Sequence, residues 1–300
     1  MKSNILLIMA QKGFLYEGSK FEGYVVLHPY KEANLCQRLC REFVIRFVPF
    51  IEFFFYNREI YNGNYDKIIV WDPLITKRFL FRLKSEYPNA QINYIYWNMV
   101  GKCNHLQPNN IPDYVRKWTY DNYDSNKYNL RLYTTYPYYR KYIRIHKSNE
   151  IDVLFIGKDK GRGEFLLDLE RRMNAIGLKT KFIITKTSRF SRNKSFYSPE
   201  ISYEEVCDLI SRSRSVLNVI MDNQEGITLR DLEYVFQGVK LLTTNTKICT
   251  HPIFNPNNVF VIKDKYIEGL DVFLKTPMEP INDNLKEHHS FDSFIREITE

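Results

Sequence analysis

The chain has 300 residues, of which 44% are hydrophobic, 26% are charged, and only 12 are glycine and 12 proline. These proportions exclude a collagen-like, low-complexity or wholly disordered protein. Forty-three basic residues against 35 acidic ones leave a formal net charge of +8. Such an excess favours polyanionic partners, such as phosphorylated ligands, nucleic acid or an anionic membrane surface. At about 150 residues per domain, the length predicts two domains.

The five cysteines include no CxxC pair, so the sequence predicts neither a disulfide framework nor a zinc site built from thiolates. The apolar run 4–10 is too short for a signal core or a membrane span. The longer run 43–56 is interrupted by Arg46, Pro49 and Glu52. We therefore expect a soluble, cytoplasmic protein.

Short apolar runs alternate with helical patterns in the first half of the chain. The predicted strands are 5–9, 50–55, 67–71 and 92–97, and the predicted helices are 31–43 and 76–86. Continuous apolar strands that alternate with helices are typical of a parallel sheet covered on both faces. The segment 98–149 is rich in Asn, Asp, Tyr and Pro, and we expect it to be irregular and to connect two domains.

The same alternation restarts at residue 151. The predicted strands are 152–156, 180–184, 215–220, 240–243 and 259–262. The predicted helices are 164–176, one that begins at Ser202, 228–236 and 290–298. Ser202 begins its helix with the form of a capping box, because a glutamate follows three residues later. We predict an N-terminal domain over 1–149, a second domain over 150–287 and a closing helix in 288–300.

A glycine-rich loop follows the predicted strand 152–156 and leads into the next helix. Its spacing, G-x-x-x-G-x-G, matches neither the dinucleotide fingerprint nor a P-loop. Gly157 and Gly161 would let the backbone approach a phosphate, and amides at a helix start favour negative charge. Lys158, Lys160 and Arg162 add positive charge that suits a diphosphate. The alternative is a plain strand-to-helix turn in a basic protein.

Two glutamates, Glu225 and Glu233, lie eight positions apart around the start of the predicted helix 228–236. A glycine turn at Gly238 then introduces the strand 240–243. This pattern resembles the E-x7-E element of glycosyltransferases with the GT-B fold.

The sequence around this element is similar to bacterial capsule and lipopolysaccharide glycosyltransferases. The similar features are an Asn-rich segment at 251–258 and a closing Ser-Phe-Asp-Ser-Phe-Ile helix. The resemblance extends over 150–300. Before residue 150 only the order of strands and helices is similar, apart from one further similar segment in 118–130.

The resemblance implies an α/β, GT-B-like fold with two Rossmann-like domains that face each other across a cleft. It implies an acceptor-binding N-terminal domain and a C-terminal domain that binds a nucleotide sugar. The implied reaction is transfer of a sugar, of the hexosyl type, from a nucleotide-diphosphate sugar to a glycan or lipid-linked acceptor in surface polysaccharide biosynthesis. No metal and no other cofactor is expected.

The resemblance also implies roles for the residues of the second domain. Glu233 would accept hydrogen bonds from the ribose hydroxyls of the nucleotide. Glu225, with the amides of Gly226 and Ile227, would meet the donor sugar or its phosphate and is a predicted catalytic residue. Arg230 would neutralise the charge of the departing diphosphate. Alternatively, the two glutamates are solvated carboxylates that the helix dipole favours.

Activation of the acceptor falls to the first domain. An inverting enzyme needs a general base within hydrogen-bond reach of the acceptor hydroxyl. Asp72 is the candidate, because it follows a predicted strand at the edge where open α/β sheets bind ligands. It could equally cap the following turn. Asn98 has a similar position, and we place it with Gly13 on the acceptor side of the site.

Two other functions remain open: a sugar-nucleotide epimerase of the same architecture, and a non-catalytic nucleotide or nucleic-acid binding protein. No nucleic-acid motif is present, so we expect no nucleic-acid partner. Four arginines surround the apolar run 43–56, namely Arg38, Arg41, Arg46 and Arg58. They indicate either peripheral contact with the anionic inner face of the plasma membrane or an ordinary core with solvated charge around it.

Overall fold

The computed structural model describes residues 4–9, 24–71, 75–101, 106–138, 142–144, 146–188, 191–221, 223–264 and 266–300. The chain is an α/β protein with two parallel sheets. It divides into two compact units, one formed by Met1–Thr134 with Ile295–Glu300 and the other by Thr135–Phe294. The second unit therefore begins before the predicted boundary at 150, and the last residues of the predicted closing helix belong to the first unit.

The first unit contains a six-stranded sheet in the order β2-β1-β3-β4-β5-β6, in which neighbouring strands run parallel. Its strands are β1 (Ile5–Met9), β2 (Tyr24–Leu27), β3 (Lys67–Trp71), β4 (Gln91–Tyr96), β5 (Val115–Thr119) and β6 (Arg131–Leu132). Its helices are α1 (Leu35–Phe47), α2 (Lys77–Glu86) and α3 (Asn122–Tyr128), with 3-10 helices at Pro49–Phe55, Arg58–Tyr61 and Pro108–Asn110. The parallel sheet that the sequence predicts is confirmed.

Two predictions for the first unit are wrong. The predicted strand 50–55 is a 3-10 helix that Pro49 begins, and its phenylalanines at 50, 53 and 54 are exposed. An apolar run resembles a buried strand in sequence even when its side chains point to solvent. The segment 98–149 is not irregular throughout, because β5 extends the sheet within it. The charged pair Arg116 and Lys117 interrupts the apolar pattern of that strand.

A buried carboxyl connects the 3-10 helix to α2. Glu52 is almost fully buried and accepts hydrogen bonds from the Tyr56 and Thr76 hydroxyls. Thr76 also caps α2, since its hydroxyl accepts a hydrogen bond from the Arg78 amide at 3.2 Å. Burial raises the pKa of Glu52, against the opposing effect of the two hydroxyl donors.

The second unit contains a five-stranded parallel sheet in the order β11-β10-β9-β7-β8. Its strands are β7 (Ile151–Lys158), β8 (Thr180–Thr185), β9 (Ser213–Asn218), β10 (Lys240–Thr243) and β11 (Val259–Val261). Its helices are α4 (Gly163–Ala175), α5 (Tyr203–Ser211), α6 (Leu229–Gln237), α7 (Leu270–Lys275) and α8 (Asp283–His288), and α9 (Phe291–Thr299) runs on into the first unit. A further 3-10 helix covers Thr246–Thr250.

The order of these strands reverses at one point in the sheet. β7 lies between β8 and β9, so the direction in which strands are added reverses at β7. Open α/β sheets bind ligands outside the carboxyl ends of their strands at such a reversal. The loops after β7 and β9 therefore lie where a sheet of this order binds a ligand.

The segment after Thr134 packs onto the second unit and is not a free connection. The Tyr138 amide donates to the His289 carbonyl at 2.9 Å, and the Tyr138 ring stacks on Phe236 with centroids 4.6 Å apart. The Gln237 side-chain amide donates to the Tyr138 hydroxyl at 2.7 Å and to the Tyr142 carbonyl at 2.6 Å. These contacts explain why the second unit starts before β7.

The capping box at Ser202 is confirmed, since its hydroxyl accepts from the Glu205 amide at 3.2 Å and the Glu205 carboxylate accepts from the Ser202 amide at 2.8 Å. In the next helix, α6, Gly238 forms the C-terminal cap, with φ at 68°. Within the described part of the chain, no helix is both long and apolar enough to cross a bilayer.

We expect Gly238→Ala to destabilise the second unit by about 1 kcal/mol, because a Cβ atom disfavours the left-handed conformation. Nothing lies within 4 Å of the added Cβ, so no clash contributes. Chemical denaturation monitored by circular dichroism measures the change. Gly238→Asn is the matched control, since asparagine tolerates this conformation better and should lose less stability. Equal losses in the two variants would contradict this explanation.

Candidate functional site

The loops that follow β7 and β9 are joined by one guanidinium. Arg162 donates from Nη2 to the Lys158 carbonyl at 2.8 Å, from Nε to the Asp159 carbonyl at 3.2 Å, and from Nη1 to the Val219 carbonyl. Lys158 ends β7, and Val219 directly follows β9. The predicted phosphate ligand Arg162 is thus placed at the reversal of the sheet, where its donors already bind backbone carbonyls.

The glycine loop (residues 157–163) contains two successive residues with left-handed backbone. Lys160 has φ at 47° and Gly161 has φ at 85°. The Lys160 amide donates to the Thr187 hydroxyl at 2.8 Å. The left-handed conformation costs energy for any residue that has a Cβ atom. Because Lys160 is held in this conformation, the loop has a defined and locally strained shape.

Asp159 occupies the amide end of α4, a role that the sequence pattern did not predict. Its Oδ1 accepts from the Gly163 amide at 2.6 Å, and its Oδ2 accepts from the Tyr197 hydroxyl at 2.5 Å. The Lys194 ammonium lies 3.9 Å from Oδ2. Burial alone would raise the pKa of Asp159, but these donors together hold it below its ordinary value. The amide that we expected to face a phosphate therefore already binds a carboxylate.

Arg230 connects the glutamate segment (residues 225–233) to the glycine loop. Its Nη2 donates to the Ile156 carbonyl of β7 at 2.9 Å, and its Nη1 forms an ion pair with Glu233 Oε2. The Tyr203 hydroxyl donates to Glu233 Oε1 at 3.0 Å. The structure thus joins the glutamate segment, which the resemblance singled out, to the strand that precedes the glycine loop.

Glu233 is 1% exposed, whereas the Arg230 side chain is 15% exposed. Both oxygens of Glu233 have protein partners, so its predicted contact with a ribose stays a prediction. Burial raises the pKa of Glu233, and Arg230 and Tyr203 oppose that shift.

The start of α6 is fixed by a second buried carboxylate, Asp231. Its Oδ2 accepts from the Thr228 amide at 2.7 Å and from the Thr228 hydroxyl at 3.0 Å. Its Oδ1 accepts from the side-chain amide of Asn218, the last residue of β9, at 2.8 Å. Burial raises the pKa of Asp231 against these donors. The Thr-x-x-Asp spacing is a capping-box signal that could have identified Asp231 from the sequence.

Glu225 lies where the loops after β9 and β10 meet. Its side chain is 35% exposed, and its Oε1 lies 3.9 Å from the Lys247 ammonium. Its carbonyl accepts from the Asn245 side-chain amide at 3.4 Å. Gly226 and Ile227, which follow it, are buried. The carboxylate is therefore accessible at the carboxyl ends of β9 and β10, as its predicted role requires.

The acceptor-side predictions fall on the first unit. Gly13 and Asp72 lie outside the described residues. Asn98 is half-buried just after β4. It follows Trp97, whose ring lies 5.0 Å between centroids from that of Trp71, the last residue of β3. Within the described ranges, no three His, Cys, Asp or Glu side chains form a group that would hold a metal ion.

No protein-family model matches the chain, and none of the curated proteins matches it. The resemblance to GT-B glycosyltransferases therefore depends on the residues and motifs of this sequence alone. What the geometry adds is the position of these residues at the carboxyl edge of the second sheet.

We expect Arg230→Met to destabilise the second unit by about 3–5 kcal/mol at neutral pH, because it leaves a buried carboxylate without its cation. The pKa of Glu233 in the folded variant then lies further above its value in the unfolded chain, about 4.3. A group of this kind contributes stability below the unfolded pKa and loses it as the pH rises through the folded pKa. The destabilisation should therefore shrink toward acid pH, as measured by chemical denaturation across pH.

The control combines Arg230→Met with Glu233→Gln. This double variant has no titrating carboxyl at position 233, so its difference from Glu233→Gln alone should vary with pH less than the loss in Arg230→Met does. The dependence that remains comes from Asp231, whose pKa the Arg230 charge acts to lower. A loss of stability in Arg230→Met that stays constant from acid to neutral pH would contradict the importance of the ion pair.

Proposed function

We propose that the chain is a glycosyltransferase that transfers a sugar from a nucleotide-diphosphate sugar to a glycan or lipid-linked acceptor. The observation that supports this most directly is the hydrogen bond between Arg230 and the Ile156 carbonyl at 2.9 Å. It joins the glutamate segment to the strand that precedes the glycine loop. Both elements lie where the order of a parallel sheet reverses, which is where such sheets bind nucleotides.

In this proposal, positive groups compensate the charge of the nucleoside diphosphate as it departs. Lys158 is an accessible cation of the glycine loop, with a side chain that is 50% exposed and lies 3.7 Å from the Glu200 carboxylate. Arg230 supplies a guanidinium that is held in place before the ligand arrives. A charge positioned in advance stabilises a transition state more than one that must reorganise. No metal is needed for this role.

Glu233 acts in the proposal as a positioning residue. Its ion pair and its bond from Tyr203 orient the Arg230 guanidinium toward β7. Glu225 is the residue that meets the donor sugar or its phosphate, together with the backbone of Gly226 and Ile227. This assignment agrees with the exposure of Glu225 and the burial of Glu233.

The first unit provides the acceptor side. Its sheet also reverses, between β1 and β3, and Asp72 directly follows β3. We propose Asp72 as the base that takes the proton of the acceptor hydroxyl, and we assign Asn98 and Gly13 to binding of the acceptor. The GT-B arrangement, with a cleft between the two sheets, is part of the proposal.

A screen by thermal shift tests the proposed ligand class. UDP, GDP, CDP and dTDP are compared with the corresponding nucleosides and with single-stranded RNA. We expect at least one nucleoside diphosphate to raise the melting temperature, because a ligand at a hundred times its Kd stabilises by about 2.7 kcal/mol. Stabilisation by RNA alone would instead support the nucleic-acid binding alternative and overturn the proposal.

The variant Lys158→Ala should weaken the diphosphate shift while leaving the melting temperature of the free protein nearly unchanged, because the lysine is on the surface. We expect a loss of affinity of about tenfold, as for one charged hydrogen bond to phosphate. Lys275→Ala is the matched control, since Lys275 is an exposed lysine of the same unit on α7. An equal loss in both variants would show that only the net charge matters.

A further inference from the structure

The outer face of α1 carries a stripe of exposed apolar side chains. Leu35, Leu39, Phe43 and Phe47 are spaced four residues apart, so they lie on one side of the helix. Each is between 43% and 66% exposed. The rings of Phe43 and Phe47 lie 4.9 Å apart between centroids. In contrast, Val44 is buried and Ile45 packs against the core, so the helix has a second, core-facing side.

The 3-10 helix at Pro49–Phe55 continues the exposed apolar surface. Phe50, Phe53 and Phe54 are 54% to 62% exposed, and this segment packs against α1. The rings of Phe53 and Phe54 lie 4.2 Å apart. The seven side chains of the two elements are called the apolar patch below: Leu35, Leu39, Phe43, Phe47, Phe50, Phe53 and Phe54. The interpretation of 43–56 as an ordinary core does not hold for these phenylalanines.

Half of the exposed large apolar side chains in the described chain, seven of 14, fall within the 20 residues from 35 to 54. Exposed apolar residues scattered singly are normal, but a cluster of this kind marks a surface that another apolar phase covers. All seven are leucine or phenylalanine side chains, whose burial is worth about 1.5–3 kcal/mol each when complete. The driving force for covering the patch is therefore large.

The charges around the apolar patch are mainly positive. Five basic residues belong to this part of the chain, namely Lys31, Arg38, Arg41, Arg46 and Arg58. Glu32, Glu42 and Glu59 oppose them at the surface, whereas Glu52 is buried and hydrogen-bonded inside. The Arg46 guanidinium lies 5.6 Å from the centre of the Phe47 ring. Aromatic anchors surrounded by arginine and lysine are complementary to an anionic lipid surface.

We propose that the apolar patch docks the protein onto the surface of an anionic lipid bilayer. In the docked state α1 lies in the plane of the interface, with the phenylalanines among the acyl chains. Arg46, whose guanidinium lies beside the Phe47 ring, extends its apolar stem along the patch and holds its charge at the phosphate level. A membrane fits better than a protein partner because the patch is a convex helix face bordered by cations rather than a groove with paired polar groups. This inference does not rest on the proposed function.

Flotation with vesicles tests the docking. The full chain is mixed, without any nucleotide, with vesicles of phosphatidylcholine alone or of phosphatidylcholine and phosphatidylglycerol in equal parts. We expect binding to the anionic vesicles that weakens as salt is added, since salt screens the arginine charges. Phe43→Ser combined with Phe47→Ser should lower the partition coefficient at least about tenfold, because two anchors are lost.

Phe81→Ser is the matched control, since Phe81 is an exposed phenylalanine of α2 in the same unit. It should bind vesicles like the wild type. Arg46→Gln should reduce binding to anionic vesicles and leave binding to neutral vesicles unchanged. The melting temperatures of all variants should stay close to that of the wild type, because the altered side chains are exposed in the folded chain.

Three results would overturn the inference: no binding to either vesicle, equal binding to neutral and anionic vesicles, or equal loss in Phe81→Ser and the patch variant. A dimer in sedimentation that Phe43→Ser with Phe47→Ser dissociates would also overturn it, in favour of self-association through the patch. A Lys158→Ala variant that loses the rise in melting temperature with a nucleoside diphosphate but still binds anionic vesicles would show that membrane docking is independent of the proposed function.

Discussion

The second unit depends on the guanidinium of Arg230, which binds a strand and a helix at once. One side of the group reaches the Ile156 carbonyl of β7, and the other reaches the buried carboxylate of Glu233 on α6. A buried carboxylate is costly unless both its charge and its hydrogen-bonding capacity are satisfied. Arg230 and Tyr203 satisfy it together. The position of the glutamate segment relative to the glycine loop follows from this single arrangement.

Other side-chain hydrogen bonds connect the segments at the neighbouring strand ends. Arg162 donates to the Lys158 carbonyl at the end of β7 and to the Val219 carbonyl after β9. Asn218, the last residue of β9, donates to the Asp231 carboxylate of α6, and Asn245, after β10, donates to the Glu225 carbonyl. The carboxyl edge of the second sheet is therefore held by side chains that each connect two loops. A site built in this way changes little when a ligand arrives, which is the condition for electrostatic stabilisation without reorganisation.

The sequence predicts buried elements well and surface-exposed apolar segments poorly. β3, β4 and β10 coincide with apolar runs because their side chains lie in a core covered on both faces. The exposed phenylalanines before Tyr56 have the same composition in a different environment, so the run was misinterpreted as a strand. Asp231 carried a local signal in its spacing from Thr228. Asp159 carried none, because its partner Tyr197 lies far along the chain.

The first unit is discontinuous in sequence, since residues 295–300 belong to it. The Glu297 carboxylate accepts from the Thr134 amide at 2.9 Å and from its hydroxyl at 3.1 Å, which ties the two segments of that unit together. During synthesis on the ribosome, these residues emerge only after the whole of Thr135–Phe294. Domains generally fold as their residues emerge, the N-terminal one first. Here the N-terminal unit acquires its last contacts after the second unit has left the exit tunnel, so translation does not complete the two in the order in which they begin.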